Sequence, residues 1–120
     1  MEEINFDSDT FEDVVAKDSR YNARAYALLM DVVNYLCGIN RGHVTGESVL
    51  EEFKECALEQ YGPLTYTVLT EWGVTCTEDI GEMMFNLTDS GRVGKDENDT
   101  PDSFANGYDF KEVFLDPYQA

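Results

Sequence analysis

The chain has 120 residues and a mass of 13.6 kDa, which gives room for one domain, residues 1–120, around one hydrophobic core. Hydrophobic residues make up 42% of it, including seven Phe and seven Tyr, and this composition excludes an intrinsically disordered chain. The charge is strongly acidic, with 25 Asp and Glu against 8 Lys and Arg and a net charge of −17, which disfavours nucleic acids and anionic membranes and favours cationic partners.

Targeting signals and cysteine motifs are both missing from the sequence. No apolar run approaches the ~20 residues that cross a bilayer, and the acidic residues 1–5 do not resemble a signal peptide. We therefore expect a cytoplasmic protein. Cys37, Cys56 and Cys76 lack the spacing of a zinc or redox motif. Cys37 and Cys56 fall on apolar helix faces, where a free thiol acts as a small hydrophobic residue.

The first half of the chain is predicted to be helical. A loose lead-in, residues 1–8, precedes a short helix capped by Asp9 or Thr10. Apolar residues then recur with helical spacing over residues 21–37, and Gly38 is expected to end that helix.

A third helix is predicted to begin at Thr45 or Ser48 and to end at Tyr61. Ser48 and Glu51 have the spacing of a capping box. The pair Gly62 and Pro63 stops this helix and starts a fourth one, because proline is well suited to the first helical position.

The second half of the chain has the order of a winged helix-turn-helix. The fourth helix ends at Gly73, a short turn follows, and Thr77 caps a fifth helix that Gly91 closes. Residues 93–95 and 108–110 have the pattern of two short strands, joined by a polar loop. We therefore expect a mainly α fold of about five helices with a short C-terminal β-hairpin, in which residues 63–111 form a winged-helix-like part.

Residues 72–95 resemble the winged helix-turn-helix family, most closely in the segment LTDSGRVGK of residues 87–95. That resemblance implies that the fifth helix enters the major groove of DNA. Base and phosphate contacts rely mainly on cationic and amide side chains, but the outward face of this helix carries no Lys or Arg. The charged residues on this face are acidic, the opposite of what DNA binding requires, and this argues against direct DNA binding.

The whole chain is also similar to a small bacterial family known mainly from planctomycetes and verrucomicrobia. The motifs that carry this resemblance are DSRY (18–21), RGHVTG (41–46), YGPL (61–64), EWGV (71–74), TEDIGE (77–82) and FNL (85–87). The family has no assigned activity, so the resemblance implies a stand-alone bacterial domain and carries over no catalytic residue.

Two loops contain residues suited to metal binding or catalysis, and each also has a simpler interpretation. The acidic loop 96–102 has the composition of a calcium loop, but Pro101 lies where an EF-hand needs Gly, which favours a solvated loop tip. His43 could act as a base for Ser48, but no orienting acid or oxyanion motif accompanies the pair, which favours a structural histidine. The sequence therefore predicts no catalytic, cofactor or metal residues, and an enzyme using His43 remains an alternative.

The leading functional hypothesis is a protein-protein interaction module that presents acidic residues of the fifth helix to a basic protein. The predicted partner-binding residues are Glu78, Asp79, Glu82, Asn86 and Asp89. A nucleic-acid-associated regulator is one alternative, using Arg20, Arg24 and Arg41, and a DNA mimic is another. General acidity that only keeps the protein soluble is the remaining interpretation of the charge.

Overall fold

A computed structural model describes residues 11–39, 45–91, 104 and 107–118. Within these residues the chain forms five α-helices, numbered here in chain order, and the mainly helical prediction is confirmed. The helices are α1 (Glu12–Lys17), α2 (Ala23–Ile39), α3 (Gly46–Tyr61), α4 (Thr65–Glu71) and α5 (Thr77–Asp89). A 3₁₀ turn, Gly62–Leu64, connects α3 to α4, and the described C-terminal residues form a π-helix, Lys111–Leu115, and a 3₁₀ turn, Asp116–Tyr118. None of the described helices combines the length and the hydrophobicity that crossing a bilayer requires.

The long helix α2 supplies the largest share of the core. Its buried side chains follow helical spacing, so one face of the helix packs inward: Ala25, Tyr26, Leu28, Leu29, Val32, Val33 and Leu36. The helix continues through Gly38, which was predicted to end it, because Gly38 does not adopt the left-handed conformation that would close it. Cys37, predicted to lie on the apolar face, is exposed near that end.

The helix α3 packs against α2, and its N-terminus has a capping box one turn earlier than predicted. The Ser48 N–H donates to Thr45 Oγ1 at 3.1 Å, and the Thr45 N–H donates to Ser48 Oγ at 3.0 Å. Thr45 is therefore the N-cap, and Ser48 fills the position that the sequence prediction gave to Glu51.

The turn between α4 and α5 depends on Gly73. Gly73 has a φ of +91°, and the N–H of Val74 donates to the carbonyl of Leu69 at 2.9 Å, as in a Schellman motif. A side chain at Gly73 would collide with the carbonyl oxygen of Arg20. The turn therefore lies tightly against the residues that precede α2, and this contact fixes the start of α5.

The helix α5 packs on both α2 and α3 through a narrow apolar face. Ile80, Met83 and Leu87 are fully buried, with the spacing that the sequence predicted. The lack of a side chain at Gly81 allows Phe104 to pack closely against the same helix, because a Cβ at position 81 would overlap the side chain of Phe104. The buried Phe104 therefore joins the C-terminal part of the chain to α5.

The predicted C-terminal β-hairpin is wrong, because the described residues contain no β-strand. Its first strand, residues 93–95, and the loop after it lie outside the described residues. Residues 107–109 are irregular, and Phe110 begins a helical segment. The alternation of Tyr108 and Phe110 suggested a strand, but Phe110 and Phe114 are four residues apart, and both are buried.

Aromatic packing explains why this segment is helical. The rings of Phe110 and Phe114 meet edge to face with centroids 4.9 Å apart, and Tyr108 lies 5.9 Å from each of them. The hydroxyl of Tyr108 donates to the carbonyl of Leu50 at 2.9 Å, and the π-helix packs against α4. The C-terminal segment is therefore part of the core rather than a projecting wing.

Candidate interaction surface

The five residues predicted to bind a partner all lie on α5, on two different sides of the helix. Glu78, Glu82 and Asp89 are exposed, whereas Asp79 and Asn86 are partly buried. The exposed residues within α5 are these three carboxylates and Phe85, spaced so that they lie along one side of the helix. We call Glu78, Glu82, Phe85 and Asp89 the α5 stripe.

Asp79 is occupied by contacts within the molecule. Its carboxylate accepts the hydroxyl of Tyr21 at 2.7 Å, the N–H of Thr75 at 2.9 Å and the hydroxyl of Thr75 at 3.1 Å. Partial burial opposes ionisation of Asp79, but the hydrogen bonds from Tyr21 and Thr75 outweigh it, and the pKa of this carboxyl is lowered. Asp79 therefore holds the start of α5 against the residues before α2.

Asn86 also faces inward, toward the turn after α1. Its amide nitrogen donates to Asp18 Oδ2 at 2.9 Å and to the hydroxyl of Tyr26 at 3.0 Å. Asp18 in turn accepts two hydrogen bonds from the guanidinium of Arg20, at 2.8 Å from Nε and 2.6 Å from a terminal nitrogen. The hydrogen bonds from Arg20, aided by Asn86, hold the pKa of Asp18 far below its usual value despite partial burial.

Two ion pairs connect the α5 stripe to the region of α1. Lys17 Nζ lies 2.8 Å from Asp89 Oδ2, and a terminal nitrogen of Arg20 lies 3.3 Å from Glu82 Oε1. All four side chains are exposed, so water screens both pairs and their net contribution to stability is small. Glu82 and Asp89 therefore remain accessible to another cation.

A groove of about 450 Å³ lies between α1 and α5, and the two ion pairs cross it. Phe85 lies between Glu82 and Asp89 and is 65% exposed. Residues of both helices and of the turn after α1 line the groove: Val14, Lys17, Arg20, Glu82, Phe85 and Asp89. The groove thus combines an accessible aromatic ring with charged walls.

A second acidic surface, which the sequence prediction missed, runs along α3. Glu47, Glu51, Glu55 and Glu59 recur every four residues and are all exposed, and we call them the α3 stripe. Like charges at this spacing repel one another across successive turns. The spacing is visible in the sequence, but the prediction considered only the apolar face of this helix. Lys54 forms an ion pair with Glu51 at 3.3 Å.

The alternative hypotheses depend partly on residues that the structure does not describe. Arg20 forms an ion pair with Asp18, and Ser48 is part of the capping box. His43, Arg41 and the acidic loop 96–102 lie outside the described residues. The described part of the chain contains no group of His, Cys, Asp and Glu side chains with the geometry to hold a metal ion.

The cysteine environments favour the protonated thiol at two positions. Partial burial, together with the hydrogen bond to Glu52, raises the pKa of Cys56 to about 11. Partial burial also raises the pKa of Cys76, which lies near Asp79. Both thiols are therefore poor nucleophiles near neutral pH.

Comparisons of the chain with protein-family models, with curated proteins and with solved structures found no match. The resemblance to a small bacterial family therefore stays a prediction.

Proposed function

We propose that the protein is an interaction module that binds a cationic protein partner through its acidic helical surface. The main support is the distribution of charge over residues 46–91, which contain ten Asp and Glu and a single basic residue, Lys54. Seven of the ten form the α3 stripe and the α5 stripe. An acidic surface of this kind attracts cationic proteins and accelerates their association.

The electrostatics of the α3 stripe add a physical argument. Each pair of glutamates four residues apart lowers helix stability by about 0.2–0.5 kcal/mol, and a bound cation would relieve that repulsion. Binding of a cationic partner would therefore stabilise the folded chain as well as form the complex.

The alternatives receive less support from the described residues. Arg20, the centre of the basic grouping that a nucleic-acid-binding protein would use, is held by Asp18 and by Glu82. A helix whose exposed face carries three carboxylates and no cation would repel a phosphate backbone.

The test is to capture partners with three versions of the full chain as bait. The first variant neutralises the α3 stripe (E47Q, E51Q, E55Q, E59Q), and the second neutralises the α5 stripe (E78Q, E82Q, D89N). We expect a basic protein that the wild type captures at low salt, that about 0.5 M salt releases, and that only one of the two variants loses. Circular dichroism of each bait checks that the fold is intact.

Three results would contradict the proposal. These are the absence of a specific partner, capture that salt does not weaken, and equal loss with both variants. Equal loss would mean that the chain acts only as a general polyanion, because the two variants remove similar amounts of charge from different faces.

A further inference from the structure

We infer that the groove between α1 and α5 binds a segment of the partner in which an apolar side chain is flanked by Lys or Arg. This inference rests on the proposed function and specifies its site. The apolar side chain would pack against Phe85, and the flanking cations would meet Glu82 and Asp89.

Phe85 is the first reason to choose this surface over the α3 stripe. A phenylalanine that is 65% exposed leaves most of its apolar area in water, and covering it would contribute binding free energy. Aromatic residues enclosed by a polar rim are common sites of strong binding energy in interfaces. The α3 stripe consists only of glutamates, so it offers charge but no apolar anchor.

The groove provides room for such an anchor. Its volume of about 450 Å³ lies within the usual range of roughly 300–1,000 Å³ for ligand pockets. Val14, which is buried in the core, contributes to the lining opposite α5. Because Val14 is only 2% exposed, an apolar side chain of a partner would pack mainly against Phe85.

The charges around the groove favour a cationic segment. Glu82 can exchange Arg20 for a cation of the partner without leaving Arg20 unpaired, because Arg20 keeps its shorter contacts to Asp18, at 2.6 and 2.8 Å. Asp89 can exchange Lys17 in the same way, because the Lys17 ammonium is exposed and would return to water. Displacing two screened surface pairs costs little.

The experiment uses the full chain and a displayed library of random 12-residue peptides as the probe. We expect the enriched peptides to carry an aromatic or aliphatic residue within about four positions of an Arg or Lys in the peptide sequence. The affinity of an enriched synthetic peptide should fall at least about tenfold for Phe85→Ser and for E82Q/D89N. It should not change for Leu64→Ser, which removes an apolar side chain of nearly equal exposure, 64%, from another surface.

The possible failures separate this inference from the proposed function. Cationic peptides that lose binding to the E55Q/E59Q variant but not to Phe85→Ser would contradict the groove as the binding site. The proposed interaction module would still stand. Enrichment without cationic residues, or no enrichment, would overturn both. Self-association of the chain that Phe85→Ser abolishes, measured by analytical ultracentrifugation, would assign the groove to a second copy and also overturn the inference.

Discussion

Single polar residues join α5 to parts of the chain that lie far away in sequence. Asp79 accepts the hydroxyl of Tyr21, and Asn86 donates to Asp18 and to Tyr26. A partly buried polar group that loses its partner destabilises the fold, so these contacts matter more for stability than the exposed ion pairs do.

The Tyr21 hydroxyl is the contact that can be removed most cleanly. We expect Tyr21→Phe to lower the free energy of unfolding by about 1–2 kcal/mol, because the Asp79 carboxylate loses one hydrogen bond while the ring stays buried. Urea denaturation measures the change. Tyr35→Phe is the control, since Tyr35 is exposed, and an equal effect of the two variants would contradict the account.

The lowered pKa of Asp79 predicts a dependence of stability on pH. A carboxyl group with a lower pKa in the folded state binds fewer protons there, so its contribution is complete above the unfolded pKa, about 3.9, and disappears as the pH falls through the folded pKa. We therefore expect Asp79→Asn to be less stable than the wild type near neutral pH, with a difference that shrinks below about pH 4. Chemical denaturation at several pH values measures it, with Asp116→Asn, at an exposed position, as the control. A difference that stays constant down to low pH would count against this interpretation.

Among the elements, the position of α5 is set by the turn that precedes it. Gly73 closes α4 with a positive φ, and the carbonyl of Trp72 accepts the N–H of Asn22 at 3.0 Å. This turn is therefore bound to the start of α2, and α5 follows it in a fixed direction.

Two glycine substitutions should have opposite effects on stability. Gly73→Ala is expected to lower the free energy of unfolding by about 2–3 kcal/mol, because alanine is strained at this φ and its Cβ would collide with Arg20. Gly38→Ala should raise it by about 0.5 kcal/mol, because Gly38 is helical and has open space around it. Thermal and urea unfolding measure both changes. A loss of stability with Gly38→Ala, or tolerance of Gly73→Ala, would show that these backbone conformations are wrong.

A second prediction about a single helix concerns the α3 stripe. Glu55 has like-charged neighbours four residues away on both sides, Glu51 and Glu59. Glu55→Lys turns both repulsions into attractions, so we expect a gain of about 1 kcal/mol at low ionic strength. The gain should be much smaller at about 1 M salt, where the screening length is about 3 Å. A gain that persists at high salt would mean that it does not arise from charge repulsion.

For the molecule as a whole, the sequence predicted the helices more reliably than the contacts between them. The bounds of α3 and the buried face of α5 follow from residues that repeat with helical spacing. The inward positions of Asp79 and Asn86 depend on Tyr21, Tyr26 and Asp18, which are about 60 residues away and come close only in the folded chain. Spacing within a single helix therefore cannot reveal them.

The C-terminal segment was mispredicted for a related reason. Alternating aromatic residues favour a strand when they are considered alone, but the packing of Phe110 and Phe114 against each other requires a helical segment. The α3 stripe, by contrast, could have been found from the sequence, because its spacing of four residues lies within one helix.

The central claim is that a cationic protein meets the α5 stripe, and photo-crosslinking in cells that produce the full chain tests it most directly. A photoreactive analogue of phenylalanine, which keeps an aromatic ring at the site, replaces Phe85 in one variant and Leu64 in another, since the two side chains are nearly equally exposed, at 65% and 64%. We predict that the probe at position 85 crosslinks to a basic protein and that the probe at position 64 does not. Equal crosslinking at both positions, crosslinking at neither, or a crosslink from position 85 to nucleic acid would contradict the claim.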